Sequence, residues 1–115
     1  MTRNYLLFIS DIISSIEKIE RFTFGMNLES FSNDEKTISA VIREIEVIGE
    51  AVKQVPEAIQ ATAPQIPWNL MAKMRDKLIH WYWGTDEEIV WKVATERLPL
   101  LKTHFQVILD TNKEQ

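Results

Sequence analysis

The stretch YLLFISDIISSIEKIERF, residues 5–22, decides the fold class of this chain. Its apolar side chains recur at intervals of three and four residues: Leu6, Ile9, Ile13 and Ile16, with Ile12 and Ile19 beside them. The polar face is supplied by Glu17, Lys18, Glu20 and Arg21. This is the period of an amphipathic helix, since a half-buried strand alternates at every second residue. The sequence therefore predicts a first helix over residues 5–22, broken by Gly25.

A second helix is predicted after a polar segment. Residues 24–36, FGMNLESFSNDEK, carry turn-forming residues and are predicted as a loop. Ser32 and Glu35 have the capping-box spacing at the start of the helix. The helix extends to about Val55, because Pro56 cannot continue it. Its apolar positions are Ile38, Val41, Ile42, Ile45, Ile48 and Val52.

Two further helices complete the pattern. A short continuation over residues 57–63 precedes a third helix, and Pro67 suits the first turn of that helix. The third helix ends around residues 80–84. A last helix is predicted over residues 86–110 and is kinked or split at Pro99. The side chains of the third helix predicted to face inward are Leu70, Met71, Met74 and Leu78.

Together these elements predict an all-α fold, an antiparallel bundle of four to five helices. The sequence shows no internal repeat, no linker and no strand-like alternation of useful length. With 115 residues, the chain is predicted to form a single domain, residues 1–115. Two separate cores would each lie near the lower size limit for independent folding.

The composition excludes several classes of function. The absence of cysteine excludes disulfides, cysteine-ligated zinc, iron–sulfur clusters and thiol nucleophiles. No apolar run approaches the roughly 18 residues of a membrane helix, and no cleavable signal is recognised, so we expect a soluble, cytoplasmic protein without membrane contact. The net charge of −4, from 13 basic and 17 acidic residues, argues against a broad non-specific nucleic-acid surface. It leaves room for a local phosphate site.

The sequence predicts no metal site and no cofactor. Glu44, Glu46 and Glu50 lie in the second helix without the E-x-x-H pairing of di-metal bundles. His104 lies within one turn of several apolar residues and is predicted to be a packed or edge histidine, since no carboxylate or second histidine stands at ligand spacing.

The segment KMRDKLIHWYWG, residues 73–84, concentrates basic and titratable side chains. Arg75 offers a planar, permanently charged donor for phosphate oxygens, and His80 transfers protons near neutral pH. Five positions apart in a straight helix, they are rotated by about 140°, so they share one site only if the helix ends near His80. RNA carries its own nucleophile, the 2′-hydroxyl, and this pair suits its cleavage without a metal. The alternative is that both residues only satisfy the helix end.

The order of several motifs identifies a family resemblance. Residues 75–82, RDKLIHWY, match R-x-x-x-x-H-x-Y with a polar residue directly after the arginine. Residues 48–51, IGEA, follow Arg43 and Glu46, and a downstream pattern begins at Asp86. In an all-helical chain of this size, these segments resemble the HEPN-domain ribonucleases, specifically the HepT-like toxins.

This resemblance implies the HEPN helical bundle and a homodimer in which both R-x-x-x-x-H motifs line one cleft at the interface. It implies a metal-independent endoribonuclease that cleaves RNA, with tRNA and mRNA among the candidate targets. It also implies the toxin of a type VII-like toxin–antitoxin module, whose partner is a minimal nucleotidyltransferase antitoxin of the MntA type. That partner is expected to silence the toxin by transferring AMP to Tyr82.

The resemblance also implies roles for single residues. Arg75 binds the scissile phosphate, and His80 acts as general base or general acid. Asp76 orients one of these two residues or stabilises the motif helix. Trp81 and Trp83 are candidates for stacking on RNA bases. Two other classes of function stay open: a non-enzymatic helical adaptor for a nucleotidyltransferase, and a nucleotide-sensing bundle that does not cleave.

Overall fold

The computed structural model describes residues 4–74, 76–78 and 86–112. Its helices are α1 (Tyr5–Thr23), α2 (Leu28–Ser32), α3 (Glu35–Val52), α4 (Glu57–Gln60), α5 (Trp68–Ala72), α6 (Glu87–Lys92) and α7 (Leu98–Asn112). A π-helical segment, Val93–Arg97, joins α6 to α7. These ranges contain no β-strand, which confirms the predicted all-α bundle. None of the helices in the described ranges is long and apolar enough to cross a membrane.

The core lies where α1 packs against α3 and α7. The predicted isoleucine stripe of α1 is buried, and it meets the apolar face of α3: Ile38, Val41, Ile42, Ile45, Ile48 and Val52. The end of α1 agrees with the prediction, because Gly25 has a φ of 77°, in the left-handed region that favours glycine. The end of α3 comes at Val52, slightly earlier than the predicted Val55.

The predicted loop between α1 and α3 is wrong in part, because it contains α2. The Asn27 side chain accepts a hydrogen bond from the Ser30 backbone N–H at 2.8 Å, and the Ser30 hydroxyl accepts one from the Asn27 N–H at 3.0 Å. Phe31 is fully buried, and its ring centroid lies 5.1 Å from that of Trp91. The reciprocal cap and the aromatic contact stabilise a turn that polar composition alone does not indicate.

The predicted capping box of α3 is also wrong, because Asp34 rather than Ser32 occupies the N-cap position. The Asp34 carboxylate accepts hydrogen bonds from the backbone N–H of Thr37 at 3.0 Å and from its hydroxyl at 2.7 Å. These two bonds favour the charged form and lower the pKa of Asp34. Ser32 is instead the last residue of α2.

The third predicted helix is interrupted rather than continuous. Its first part, α5, ends at Ala72, and the chain turns at Lys73 before helical structure resumes. Met71, Met74 and Leu78 are buried as predicted, but Leu70 is 44% exposed, so its predicted inward orientation is wrong. Leu70 directly precedes Met71 in α5, and neighbouring residues of an α-helix are rotated by about 100°, so burial of Met71 leaves Leu70 at the edge of the apolar face.

The last helical stretch is irregular just before Pro99, as predicted. The N–H of Leu98 donates to the carbonyl of Val93, five residues back instead of four. Pro99 has no N–H, and in a regular α-helix its ring clashes with the carbonyl four residues back. The wider π turn accommodates the proline, and the helix therefore continues to Asn112 instead of splitting.

Candidate functional site

The turn that carries the predicted motif is anchored by two buried apolar residues. Met74 and Leu78 stand four positions apart and are only 5% and 1% exposed. Asp76 and Lys77 lie between them and are exposed. The Lys77 N–H donates to the carbonyl of Lys73 at 3.2 Å. Since residues four apart share one helix face, this turn packs on the core by that face and presents polar side chains to solvent.

Five residues of the predicted site lie outside the described residues: Arg75, His80, Trp81, Tyr82 and Trp83. Asp76 lies within them, and its side chain is exposed. The catalytic roles of Arg75 and His80, the orienting role of Asp76 and the modification of Tyr82 stay predictions.

The segment that enters the motif is fixed by Trp68 at the start of α5. Its indole N–H donates to the carbonyl of Ala63 at 3.0 Å. Its ring meets Phe105 of α7 edge-on, with centroids 5.6 Å apart and an interplanar angle of 87°. An aromatic pair in this geometry, with the indole N–H satisfied, restrains α5 against α7.

A groove between α1 and α3 collects polar residues that carry the family resemblance. It has a volume of about 580 Å³, and its lining includes Asp11, Arg43, Glu46, Glu50 and Ala51. The preceding residues of the IGEA segment, Ile48 and Gly49, are buried in the core. Residues that sequence reasoning recognised only as a pattern therefore share one surface of the fold.

A second groove lies beside the motif turn, and sequence reasoning missed it. It has a volume of about 380 Å³ between α5, α6, the π segment and α7. Met74 and Lys77 of the motif turn belong to its lining, together with Lys92 and Arg97 from the last helical stretch. The sequence signal that points here is Pro99, because it imposes the π segment that forms one wall.

One further residue with a predicted role is described away from this turn. His104 is half-buried in α7, in agreement with its prediction as a packed or edge histidine. In the described ranges, no group of three or more His, Asp or Glu side chains is arranged to hold a metal ion.

The Lys102 ammonium donates to Glu20 at 2.7 Å, and this hydrogen bond raises the pKa of Lys102.

The profile of the family described as ribonuclease HepT-like matches residues 12–108, which is most of the chain. The chain belongs to the HepT-like ribonuclease family. The resemblance inferred from the order of the motifs is thereby confirmed, and with it the assignment of this HepT-like chain to the ribonucleases.

Curated relatives of this HepT-like chain are similar over most of their length. A probable ribonuclease HepT of Thermococcus cleftensis is 46% identical over 106 residues, which cover 92% of this chain and 96% of the relative. A putative RNase of Methanocaldococcus jannaschii is 47% identical over 92 residues, or 80% and 76% of the two chains. A putative RNase of Caldanaerobacter subterraneus is 33% identical over 106 residues, or 92% and 95%. A separate comparison with solved structures found no match.

Proposed function

We propose that this HepT-like chain is a metal-independent endoribonuclease with Arg75 and His80 as its catalytic residues. One observation carries the proposal: the R-x-x-x-x-H-x-Y sequence occurs in a chain that belongs to a ribonuclease family. The described apolar residues of its first turn, Met74 and Leu78, are buried, while Asp76 is exposed. A turn anchored on one face suits a site that must meet a polymer outside the protein.

The proposed reaction uses the nucleophile that RNA supplies. His80 of one copy takes the proton of a 2′-hydroxyl, and the 2′-oxygen forms a bond to the adjacent phosphorus. The bond from phosphorus to the 5′-oxygen breaks, and His80 of the second copy donates a proton to that oxygen. Arg75 binds the non-bridging oxygens and stabilises the negative charge that develops on them. The products carry a 2′,3′-cyclic phosphate and a 5′-hydroxyl.

A homodimer is part of the proposal, because this reaction needs both a base and an acid and each chain has one motif. Two copies also bring two Arg75 side chains to one cleft, which favours RNA on a protein with a net charge of −4 per chain. Trp81 and Trp83 supply aromatic faces on which unpaired bases stack.

In the cell, we assign this activity to the toxin of a type VII-like module whose antitoxin is a minimal nucleotidyltransferase. The phenol of Tyr82 gives up its proton to solvent, its oxygen forms a bond to the α-phosphorus of ATP, and pyrophosphate leaves. The AMP group then places a bulky anion two residues from His80. Like a phosphate group, it repels the RNA backbone and offers Arg75 another partner, so the site is silenced without unfolding.

The test is cleavage of total RNA by the purified protein in excess EDTA. We expect fragments that end in 2′,3′-cyclic phosphates, and a loss of about 10²–10⁴-fold in rate in His80→Ala, the range for a general acid or base. The control variant is His104→Gln, which changes the other histidine and is expected to keep the activity. An active His80→Ala protein, or cleavage that EDTA abolishes, contradicts the proposal.

A further inference from the structure

The groove between α5 and α7 has the composition of a ligand site. Its volume of about 380 Å³ falls within the range of roughly 300–1,000 Å³ for small-ligand pockets. Met71, Met74 and Leu98 are buried beneath it and form an apolar floor. Exposed Leu70 and Ile89 continue this apolar surface to the rim. A ligand in this groove therefore needs an apolar face.

Cations surround this floor. Lys77, Lys92 and Arg97 line the groove, and none of the described lining residues is a carboxylate. Lys92 lies 3.6 Å from Glu88, but both side chains are more than half exposed, so the pair is weak. Within the described ranges, Lys77 and Arg97 form no ion pair. The groove is therefore a local positive site on an acidic chain, and it favours an anion.

The π segment explains why two of these cations share the groove. Lys92 and Arg97 are five residues apart, a separation that corresponds to a rotation of about 140° in a regular α-helix. In the π turn, the bond from Leu98 to Val93 joins residues five apart, so positions with this separation lie on the same side. The irregularity at Pro99 thus has a consequence for binding as well as for helix geometry.

A nucleotide of single-stranded RNA meets both requirements. Its base covers apolar side chains, and its phosphates pair with lysine and arginine. An acidic amphipathic peptide meets them too, but its apolar face extends over several helical turns of 5.4 Å and needs a longer groove. The groove also includes Met74 and Lys77, which lie one residue before and two residues after Arg75 in the sequence.

We propose that this groove is an RNA subsite that holds one nucleotide flanking the cleaved bond. The base lies on Leu70 and Ile89, and the backbone phosphates pair with Lys92 and Arg97. The identity of the strand as substrate rests on the proposed function, whereas binding of RNA in the groove does not require cleavage. The subsite adds affinity for RNA and fixes the position of the strand, because Arg75 and His80 alone offer too few contacts to hold it.

Binding of a short, non-cleavable 2′-O-methyl oligoribonucleotide, followed by fluorescence anisotropy, tests the subsite. The double variant Lys92→Gln/Arg97→Gln is expected to bind about tenfold more weakly at 0.15 M salt. Its log–log salt slope is expected to fall by about 1.4, at about 0.7 for each single-strand phosphate contact. The matched control, Arg21→Gln/Lys36→Gln, removes the same charge from exposed positions in α1 and α3 and is expected to bind like the wild type.

A second variant separates the base from the phosphates. Leu70→Asn/Ile89→Asn removes exposed apolar surface and is expected to weaken binding about fivefold without changing the salt slope. Groove variants that bind like the control overturn the subsite, and so does a wild type that binds no RNA. Groove variants that bind RNA normally but lose a nucleotidyltransferase partner also overturn it, in favour of a protein-docking surface. A wild type that binds through the groove but does not cleave overturns only the proposed function.

Discussion

Trp68 and Phe105 form an edge-to-face pair, with ring centroids 5.6 Å apart and planes at 87°, and this pair ties α5 to α7. Phe105 is completely buried, and the Trp68 N–H is satisfied by Ala63. Because α5 leads into the motif turn, the position of that turn depends on a core contact with α7, the last helix.

The substitution Phe105→Leu is expected to disturb the site through this contact. It keeps an apolar side chain but removes the ring, and we expect the free energy of unfolding to fall by about 1–2 kcal/mol. Ile16→Val is a control in the α1 core, with an expected loss of about 0.5–1.5 kcal/mol. Urea denaturation measures both losses, and RNA cleavage is then compared under conditions where both variants are folded. Equal cleavage by the two variants would show that α5 does not position the motif.

The ion pair between Lys102 and Glu20 is expected to stabilise the bundle in a pH-dependent way. The hydrogen bond raises the folded-state pKa of Lys102 above its ordinary value of 10.5. The stability it contributes is therefore fully present below 10.5 and is lost as the pH rises through the folded-state pKa. A double-mutant cycle with Glu20→Gln and Lys102→Met should give a coupling below about 1 kcal/mol at neutral pH, because both side chains are partly exposed.

The more exposed pair Lys92–Glu88, at 3.6 Å, is the comparison for this cycle and should give a smaller coupling. High salt should reduce both couplings, since exposed charges are screened. A coupling between Lys102 and Glu20 that persists unchanged far into the alkaline range would contradict the assignment of the stabilisation to this ion pair.

Tyr82→Phe is expected to separate silencing from catalysis. The substitution removes the hydroxyl to which we propose that AMP is transferred and leaves an aromatic ring, so growth arrest should continue when the nucleotidyltransferase is co-expressed. Mass spectrometry should detect AMP on the wild type and none on the variant. Tyr5→Phe changes the other tyrosine of the chain, and this protein should be silenced like the wild type. Silencing of Tyr82→Phe by the nucleotidyltransferase would place the modification elsewhere.

Local periodicity was sufficient to predict the long helices. The isoleucines of α1 repeat at helical spacing over a whole element, and the core buries them as expected. The missed helix α2 depends on the contact between Phe31 and Trp91, which are far apart in the sequence. The wrong orientation of Leu70 follows from its place at the edge of the apolar face, about 100° from the buried Met71, where a stripe read from the sequence is least precise.

The motif and the groove beside it also differ in how far the sequence alone could predict them. The motif was recognisable because arginine, histidine and tyrosine stand close together in residues 75–82. The groove was not, because Lys77 and Arg97 come from separate segments and the π turn changes the helical phase between Lys92 and Arg97. A site made from segments that are far apart in the sequence is recognised only when the fold is known.

Pro99→Ala is expected to increase stability while weakening the binding of RNA. Alanine restores the missing N–H and recovers the part of the roughly 3 kcal/mol helix penalty of proline that the π turn does not relieve. We expect this gain to exceed the roughly 1 kcal/mol lost because the unfolded chain becomes more flexible. Residues 93–97 then return to regular α-helical bonding, and Arg97 turns away from Lys92. Affinity for the 2′-O-methyl oligoribonucleotide should fall toward that of Lys92→Gln/Arg97→Gln.

Urea denaturation, amide hydrogen exchange across residues 93–99 and anisotropy together measure these effects. Pro64→Ala, in the turn after α4, is the control, since Pro64 lies outside the groove wall formed by the π segment. A gain in stability together with a loss of affinity distinguishes a change in helical phase from general damage, which lowers both. If exchange reports a regular helix while affinity is unchanged, the π segment does not align the cations, and the groove must hold RNA by Lys77 and its apolar floor.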